Sequence, residues 1–330
     1  MTREVRVYWR LRTYIAWALA ISAFLVFAVS DSKFLNAGNL YALVQSFAVI
    51  GIVSIGLMLV MVAGEFDLSV AGTVPLAGLV AVRVSEASTV FVGVLAAVVV
   101  CGAVGFINGF VTARFALPSL AVTVGTLVLT TGLGFAIAGG QIVTLSDYEA
   151  GIALDSPIAE LFSFRSLLQI ILIAVVGLLF AKTWIGLGIR AVGSDPNRAA
   201  TAGISIMRTM LTVFIVSGLF AGIAGAMQGV SLAAGVPGDD QAILLQAVTA
   251  AIIGGTALSG GRGSTLGVVA GALLLTIVSN GLSLQGTSTA VIQLLNGGIL
   301  VLVVLVNQPL QTASKRLLDR TILKGKPATV

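Results

Sequence analysis

Two carboxylates stand close together in the segment GEFDLSV, residues 64–70. The flanking stretches, residues 34–63 and 71–82, carry no charged side chain. A carboxylate near lipid is costly, so it normally marks a functional position or faces a protected interior. Three alternatives follow for Glu65 and Asp67: contact with a transported solute, binding of a coupling ion, or a structural role between helices.

The composition indicates a membrane protein. Of the 330 residues, 58% are hydrophobic and 9% are charged, whereas a soluble domain carries about 25% charged residues. Repeated apolar runs of about 18–24 residues are long enough to cross a bilayer as helices. The runs are continuous rather than alternating, which disfavours a β-barrel. The 39 glycines suit close helix packing, so we expect an all-α, polytopic transmembrane helical bundle.

Several kinds of site are excluded by what the chain lacks. It has no histidine and a single cysteine, Cys101, which excludes a histidine-based metal site and a disulfide within the chain. Cys101 lies in an apolar run and is expected to be a small buried side chain. The net charge is +5, but the basic residues are dispersed along the membrane flanks, so nucleic acid is not expected as a partner. No paired catalytic groups recur at one depth, and we expect no enzyme activity, metal or cofactor in this chain.

About ten spans are predicted, of which the third and the ninth are short or re-enter the membrane. They cover 13–30, 40–62, 68–84, 89–111, 118–138, 166–182, 209–232, 242–259, 264–282 and 289–307. The chain divides into an N-terminal segment 1–12, a transmembrane permease domain 13–307 and a C-terminal tail 308–330. Alternatively, the residues before Asp31 form a cleaved secretory signal, which would leave nine spans.

Basic residues at both ends of the chain set the predicted orientation. Four arginines precede the first span, and five lysines or arginines follow the last. Both termini are therefore expected in the cytoplasm, which requires an even number of crossings. With ten spans, 15 of the 18 basic residues fall inside, and Lys33, Arg83 and Arg165 fall outside. The acidic residues Asp239 and Asp240 would also lie outside.

The cytoplasmic loop 183–208 contains a clear helix start. Asp195 can cap a helix and Pro196 suits its first position, while Gly203 is placed to end it. A helix of about two turns is marginal in water, so the membrane face of the protein or a partner must hold it. An ordinary interfacial loop helix is the alternative.

Four blocks of sequence resemble one family of membrane proteins. They are GEFDLSV, INGFVTARFALPSLAVTVGTLVLTTGLGF, GIRAVGSDPNRAATAGI and AAIIGGTALSGGRGSTLGVVAGALLLTIVSNGLSLQG. In this order they are similar to the permease subunits of bacterial ABC importers for ribose, related simple sugars and autoinducer-2. The resemblance implies a multi-pass protein of the bacterial inner membrane. It also implies a second permease subunit (the same or a related chain), two cytoplasmic ATPase subunits and an extracytoplasmic solute-binding protein.

The third block matches the family's coupling segment, which touches the ATPase. The chain has no phosphate-binding loop of the Walker type, so ATP and Mg²⁺ are expected on the partner subunit. The sequence GGRGS at 260–264 has glycines and a cation but not that spacing, and we predict a tight cytoplasmic turn there with Arg262 at the membrane boundary. The resemblance assigns ATPase coupling to Asp195, Pro196, Asn197, Arg198, Ala199, Ala200 and Gly203.

The chain departs from the family's usual pattern at three places. Glu65 stands where the family usually has glycine. Gln246 stands near a position where an acidic residue is common. The glycine that follows DLSV is displaced, with Ala71 before Gly72. These positions are close to elements that could line the pathway, so ribose itself is not assigned as the solute.

The two carboxylates have different predicted roles. Asp67 is kept by the family across different solutes, and it either lines or gates the pathway or caps the next helix by accepting from its free N–H groups. Glu65 contacts this protein's own solute, or it pairs with a cation such as Arg262 or Arg114. The candidate pathway residues are Glu65, Phe66, Asp67, Ser69, Asn108, Thr123, Thr126, Gln246 and Asn280.

Polar side chains within the spans can also join helices to one another, which is the alternative for each of them. Aromatic residues make up 7% of the chain, so a stacked, high-affinity sugar site is not expected. A weak site or a plain passage suits a permease whose partner recognises the solute. Further polar residues of this kind are Gln45, Thr130, Gln228 and Asn296.

These features together predict the transmembrane permease subunit of an ATP-driven importer that moves a sugar or similar small polar solute inward. The rival prediction is a secondary transporter driven by a proton or sodium gradient. In that case Glu65 and Asp67 would bind the coupling ion.

Overall fold

The structure, a computed structural model, describes residues 3–305, with side chains described from residue 11. The long helices are α1 (Arg3–Ser30), α2 (Ala37–Val62), α3 (Val70–Ala87), α4 (Val90–Phe115), α5 (Ser119–Ala138), α7 (Phe164–Lys182), α10 (Ile206–Ser231) and α12 (Thr265–Leu284). Shorter helices are α6 (Tyr148–Leu154), α8 (Trp184–Ser194), α9 (Pro196–Thr201), α11 (Gln241–Ile253) and α13 (Thr289–Leu305). The strands β1 (Val143–Thr144) and β2 (Ala234–Gly235) pair antiparallel.

The helices confirm the predicted class of fold. Within residues 3–305, eight helices are long and apolar enough to cross a membrane. The third and ninth predicted spans correspond to α3 and α12, with 18 and 20 residues; the eighth, α11, is the short one. The basic side chains at both termini, on which the predicted orientation depends, are mostly outside the described part of the chain.

Two ends of the bundle are defined here by the residues they contain. The Asp195 end holds α8, α9 and the loop 254–264, in which the N–H of Gly261 donates to the C=O of Val62 at the end of α2. A tight turn lies there, because the N–H of Gly260 donates to the C=O of Ala257 and both Gly260 and Gly261 have positive φ. Its cytoplasmic position stays a prediction. The Asp155 end holds β1, β2 and α6, and α10 runs from the first end to the second.

Small residues let α4 and α10 lie in close contact at the centre of the bundle. A Cβ atom at Gly218 of α10 would overlap the carbonyl oxygen of Cys101, and one at Gly105 of α4 would overlap that of Phe214. Cys101 is buried, as predicted. Close backbone approach supplies van der Waals contact where the hydrophobic effect does not drive helices together.

The helix α3 begins part of the way into the bundle. Ser217, close to the midpoint of α10, donates a hydrogen bond to Asp67, which shortly precedes α3. The short loop between α2 and α3 therefore turns back inside the protein, and α3 starts beside the middle of α10.

The segment after α10 differs most from the prediction. Residues 232–240 return from the Asp155 end into the bundle, where the N–H of Asp240 donates to the C=O of Ala71 at 2.8 Å. Since Ala71 is in the first turn of α3, α11 also starts at about mid-depth. Its 13 residues cover about 20 Å, less than the roughly 30 Å of a hydrocarbon layer. The prediction that residues 242–259 form a helix that crosses the membrane is therefore wrong in length. An apolar pattern does not reveal that the preceding loop re-enters the bundle.

Candidate functional site

A hydrogen-bond network around Asp67 joins four helices. Its Oδ1 atom accepts from the N–H of Ser69 at 3.1 Å and from the Ser69 hydroxyl, and its Oδ2 atom accepts from the Ser217 hydroxyl at 2.7 Å. The Ser69 hydroxyl accepts from the Asn108 amide at 2.9 Å, and the Asn108 carbonyl accepts from the Thr126 hydroxyl at 2.7 Å. The network therefore connects the start of α3 with α10, α4 and α5.

The members of this network are shielded from open space. Asp67 and Ser69 are each 2% exposed and Asn108 is fully buried. A buried carboxylate is tolerated when several donors satisfy it, and three do so here. In this conformation Asp67 holds helices together.

Asp67 bonds the residue before α3, whereas the sequence predicted a bond to the N–H groups of the helix itself. The helix α3 starts at Val70 with Ser69 as its N-cap, and the Ser69 side chain makes no capping bond. Asp67 instead accepts from the N–H of Ser69, one residue before the helix. Asp side chains commonly bond the backbone two residues on, which makes a turn. The carboxylate thus shapes the entry to α3 without capping the N–H groups of the helix.

The start of α5 holds the backbone of Phe66. The Phe66 N–H donates to the Ser119 hydroxyl at 3.0 Å, and its C=O accepts from the Thr123 hydroxyl at 3.4 Å. Thr123 is fully buried. The predicted pathway residues Phe66, Asp67, Ser69, Asn108, Thr123 and Thr126 are therefore brought together, with Ser119 and Ser217 as members that sequence analysis did not identify.

Glu65 differs from Asp67 in exposure. Its side chain is half-buried in the turn between α2 and α3. Pairing of Glu65 with a cation such as Arg262 or Arg114 stays a prediction. Glu65 stays a candidate for contact with a solute or with another chain.

The Asp195 end presents the predicted coupling helix, α9. Asp195 Oδ1 accepts from the N–H of Arg198 at 3.0 Å, and Pro196 takes the first helical position. Gly203 has a φ of +82°, a conformation that favours glycine at a helix end. The predicted start and end of this helix are confirmed.

One face of α9 is anchored and the rest is open. Ala199 is 4% exposed and packs with the hydrophobic core, whereas Asn197, Arg198 and Ala200 are exposed. The Arg198 guanidinium forms an ion pair with Asp195 at 3.0 Å within the helix. A short helix held in this way offers an exposed polar surface.

The helix α8 is an element that sequence analysis missed. A Cβ at Gly186 would overlap the carbonyl oxygen of Phe180, and one at Gly193 would overlap that of Val62, so α8 lies tightly against α7 and α2. The Arg190 guanidinium lies 4.1 Å from the centroid of the Phe180 ring. Burial lowers the pKa of Arg190, although arginine stays protonated in proteins. The apolar residues of α8 recur at helical spacing, which was the available signal.

Three adjoining cavities surround the start of α11, with volumes of about 230, 350 and 370 Å³. Asp240 lines all three, and Gln246 lines the two larger ones. Asp239 and Asp240 thus line the cavities beside α11, whereas the sequence predicted them in an external loop. Within residues 3–305, no group of three Asp, Glu, His or Cys side chains could hold a metal ion. The other polar lining residues include Gln45, Arg165, Gln228, Gln241, Gln293 and Asn296.

Two other polar pairs connect elements near the Asp155 end. Asn280 of α12 and Asn39 of α2 exchange hydrogen bonds of 3.1 and 3.0 Å, so Asn280 is apart from the other predicted pathway residues. Arg165 forms an ion pair with Asp155 at 2.8 Å, and Asp155 also accepts from the Ser231 hydroxyl. The first pair joins two long helices, and the bonds of Asp155 tie the segment after α6 to α7 and α10.

Comparison with known proteins gives consistent matches over most of the chain. Residues 39–304 match the family described as branched-chain amino acid transport system / permease component. The chain is 34% identical to the L-arabinose ABC transporter permease protein of Azospirillum brasilense, over 88% of this chain and 85% of that protein. It is 29% identical to the xylose/arabinose import permease protein of Sulfolobus acidocaldarius and 28% identical to the fructose import permease protein of Rhizobium meliloti, in each case over 89% of this chain and 84% of the relative. No solved structure matches the chain significantly.

Proposed function

This chain belongs to the branched-chain amino acid transport system / permease component family, and we propose that it is the membrane-spanning subunit of an ATP-driven importer of a monosaccharide. It is a multi-pass protein of the inner membrane. The match to sugar permeases over nearly nine tenths of the chain carries the proposal. The individual sugar differs among these relatives, so the proposal is made for the class.

The proposed partners are two cytoplasmic ATPase subunits, a second permease subunit and an extracytoplasmic solute-binding protein. The exposed residues of α9 would contact the ATPase, and α8 would transmit the contact because it lies tightly against α2 and α7. ATP hydrolysis would take place on the partner, since the sequence has no Walker-type loop. The permease would change which side of the membrane its pathway opens to, without covalent chemistry.

The bonding of Asp67 favours this proposal over an ion-driven carrier. Its two oxygen atoms accept three hydrogen bonds from serine groups. A carboxylate that binds and releases a coupling ion must be reached by water or ions, whereas Asp67 is 2% exposed. Glu65 is half-buried, and the variant Glu65→Gly tests its role.

A reconstitution experiment distinguishes the two functions. The permease is placed in proteoliposomes with its candidate ATPase and binding protein, and uptake of radiolabelled L-arabinose, D-xylose, D-fructose and D-allose is measured. We expect uptake of at least one sugar that needs ATP and both partners. Uptake by the permease alone, driven by a proton or sodium gradient, would refute the proposal, as would no ATP-dependent uptake of any sugar in the panel.

A further inference from the structure

The two larger cavities beside α11 form one polar region, which we call the α11 cavity. They share Asp240, Ala242 and Gln246 as lining residues. Their volumes, about 350 and 370 Å³, are at the lower end of the roughly 300–1,000 Å³ that small-molecule sites occupy. The region is thus large enough for a small solute.

The lining has the chemistry that a neutral polyhydroxylated ligand requires. Gln45, Gln228 and Gln246 line one cavity, and Gln246, Gln293 and Asn296 line the other. Each side-chain amide both donates and accepts hydrogen bonds, and a sugar hydroxyl does the same. Apolar side chains complete the walls, which is usual for a ligand site with a few orienting polar groups.

Asn296 provides an independent observation that points to a ligand. Its side chain is 7% exposed, and its amide nitrogen donates to the Ser279 hydroxyl at 3.3 Å. Its Oδ1 atom is buried without a hydrogen-bond partner among the described residues. Most buried polar atoms in proteins have a partner, and this oxygen belongs to a residue that lines the α11 cavity. A hydroxyl group in the cavity would satisfy it once the side-chain amide turns towards the cavity.

The depth of the cavity suits a solute in transit. Asp240 bonds to Ala71 in the first turn of α3, which begins beside the middle of α10. Asp240 Oδ1 is already used, because it accepts from the N–H of Ile243 at 2.9 Å. Asp240 therefore fixes the start of α11, and Gln246, further along the same helix, lines the cavity and can contact a ligand.

From these observations we propose that the α11 cavity is a binding site for a monosaccharide within the permease, with Gln246 and Asn296 bonding sugar hydroxyls. This inference rests on the proposed function, and it assigns the solute to a place in the chain. It is distinct from the Asp67 network, whose buried members bond to one another.

Thiol labelling of the assembled importer tests the site. The single cysteine of the chain, Cys101, is replaced by alanine, and Gln246→Cys is introduced into that background. We measure the rate at which a membrane-impermeant maleimide reacts, with and without the sugar that the wild-type importer takes up. At a sugar concentration of twice the Kd, two thirds of the sites are filled and labelling slows about threefold.

Two matched cysteine variants and one double variant complete the test. Ser88→Cys, in the exposed turn after α3, should react at the same rate with and without sugar. Val128→Cys, on an exposed apolar face of α5, should react slowly in both conditions. Asn296→Leu, added to the Gln246→Cys variant, should raise about tenfold the sugar concentration that halves the labelling rate, the effect of one lost hydrogen bond of about 1.4 kcal/mol.

The outcomes distinguish a failure of the proposed binding site from a failure of the proposed function. Suppose that the importer takes up a sugar, but the Gln246→Cys variant reacts equally fast with that sugar present, or does not react while the Ser88→Cys variant does. The binding site is then refuted and the proposed function stands. If the same sugar concentration halves the labelling rate with and without Asn296→Leu, the role of Asn296 is refuted. If no sugar in the panel is taken up, the proposed function fails, and the site fails with it.

Discussion

Replacing Asp67 by asparagine or by alanine separates a structural carboxylate from an ion-binding one. Asparagine keeps the shape of the side chain. Its carbonyl oxygen can accept the two bonds from Ser69, and its amide group can donate to the Ser217 hydroxyl. That hydroxyl is then free to bond a backbone carbonyl of its own helix. Alanine removes all three bonds and leaves buried donors behind.

The expected stabilities of the two variants differ by several kcal/mol. Each hydrogen bond to a charged group contributes about 1.5–3 kcal/mol. Part of the loss in Asp67→Ala is offset because a charge is no longer buried, so we expect a destabilisation of about 3–5 kcal/mol. Asp67→Asn should cost about 1 kcal/mol or less. At about 2 °C per kcal/mol for a chain of this size, the alanine variant should unfold roughly 6–10 °C lower.

Thermal unfolding in detergent and ATP-dependent uptake in proteoliposomes measure the two effects. Ser217→Ala, which removes one of the three bonds, is the intermediate control. We expect Asp67→Asn to retain uptake within about twofold of wild type, since its hydrogen bonds persist. A stable Asp67→Asn variant without uptake would show that transport needs the charge, and equal destabilisation by Asn and Ala would show that the bonds are not what holds α3.

Three further predictions concern packing, coupling and the solute. Gly218→Ala should lower the free energy of unfolding by about 1–3 kcal/mol, because its Cβ would overlap the carbonyl oxygen of Cys101. Gly132→Ala, with open space around its Cβ, should leave stability unchanged or raise it by up to about 1 kcal/mol. Equal unfolding temperatures of the two variants would contradict the packing argument. Arg198→Glu should weaken co-purification with the ATPase while the permease stays folded. Arg114 is another exposed cation, and Arg114→Glu should leave co-purification unchanged. Unchanged co-purification and transport in Arg198→Glu would count against the coupling role of α9. Glu65→Gly should change the preference among sugars or the rate of uptake, and if neither changes, Glu65 is a surface group.

The class of fold and the coupling helix could be predicted because they depend on local sequence. A span needs only a long apolar run, and the start of α9 needs only Asp195 followed by Pro196. Each signal lies within one continuous stretch of the chain. The structure confirms the long apolar helices and the start of α9. The amphipathic α8 carries a local signal too, because its apolar residues recur at helical spacing.

The partners of individual side chains could not be predicted in the same way. The sequence predicts that Asp67 lines or gates the pathway or caps the next helix, and neither prediction includes Ser217, which is 150 residues away. Gln246 departs from the family's usual pattern, but no local signal shows that it lines a cavity whereas Asn280 bonds to Asn39. Only the packing of α11 beside the cavities separates the two.

The sequence by itself determined that this chain crosses the membrane many times and carries a capped helix in its loop 183–208. Hydrophobicity and capping are properties of neighbouring residues, so they are present before the chain folds. The tertiary structure decided that α3 and α11 both begin at mid-depth, that Asp67 binds α10, and that Asn296 is left with a buried oxygen that has no partner among the described residues. These facts depend on contacts between segments far apart in the chain, where close packing of small residues fixes which side chains meet.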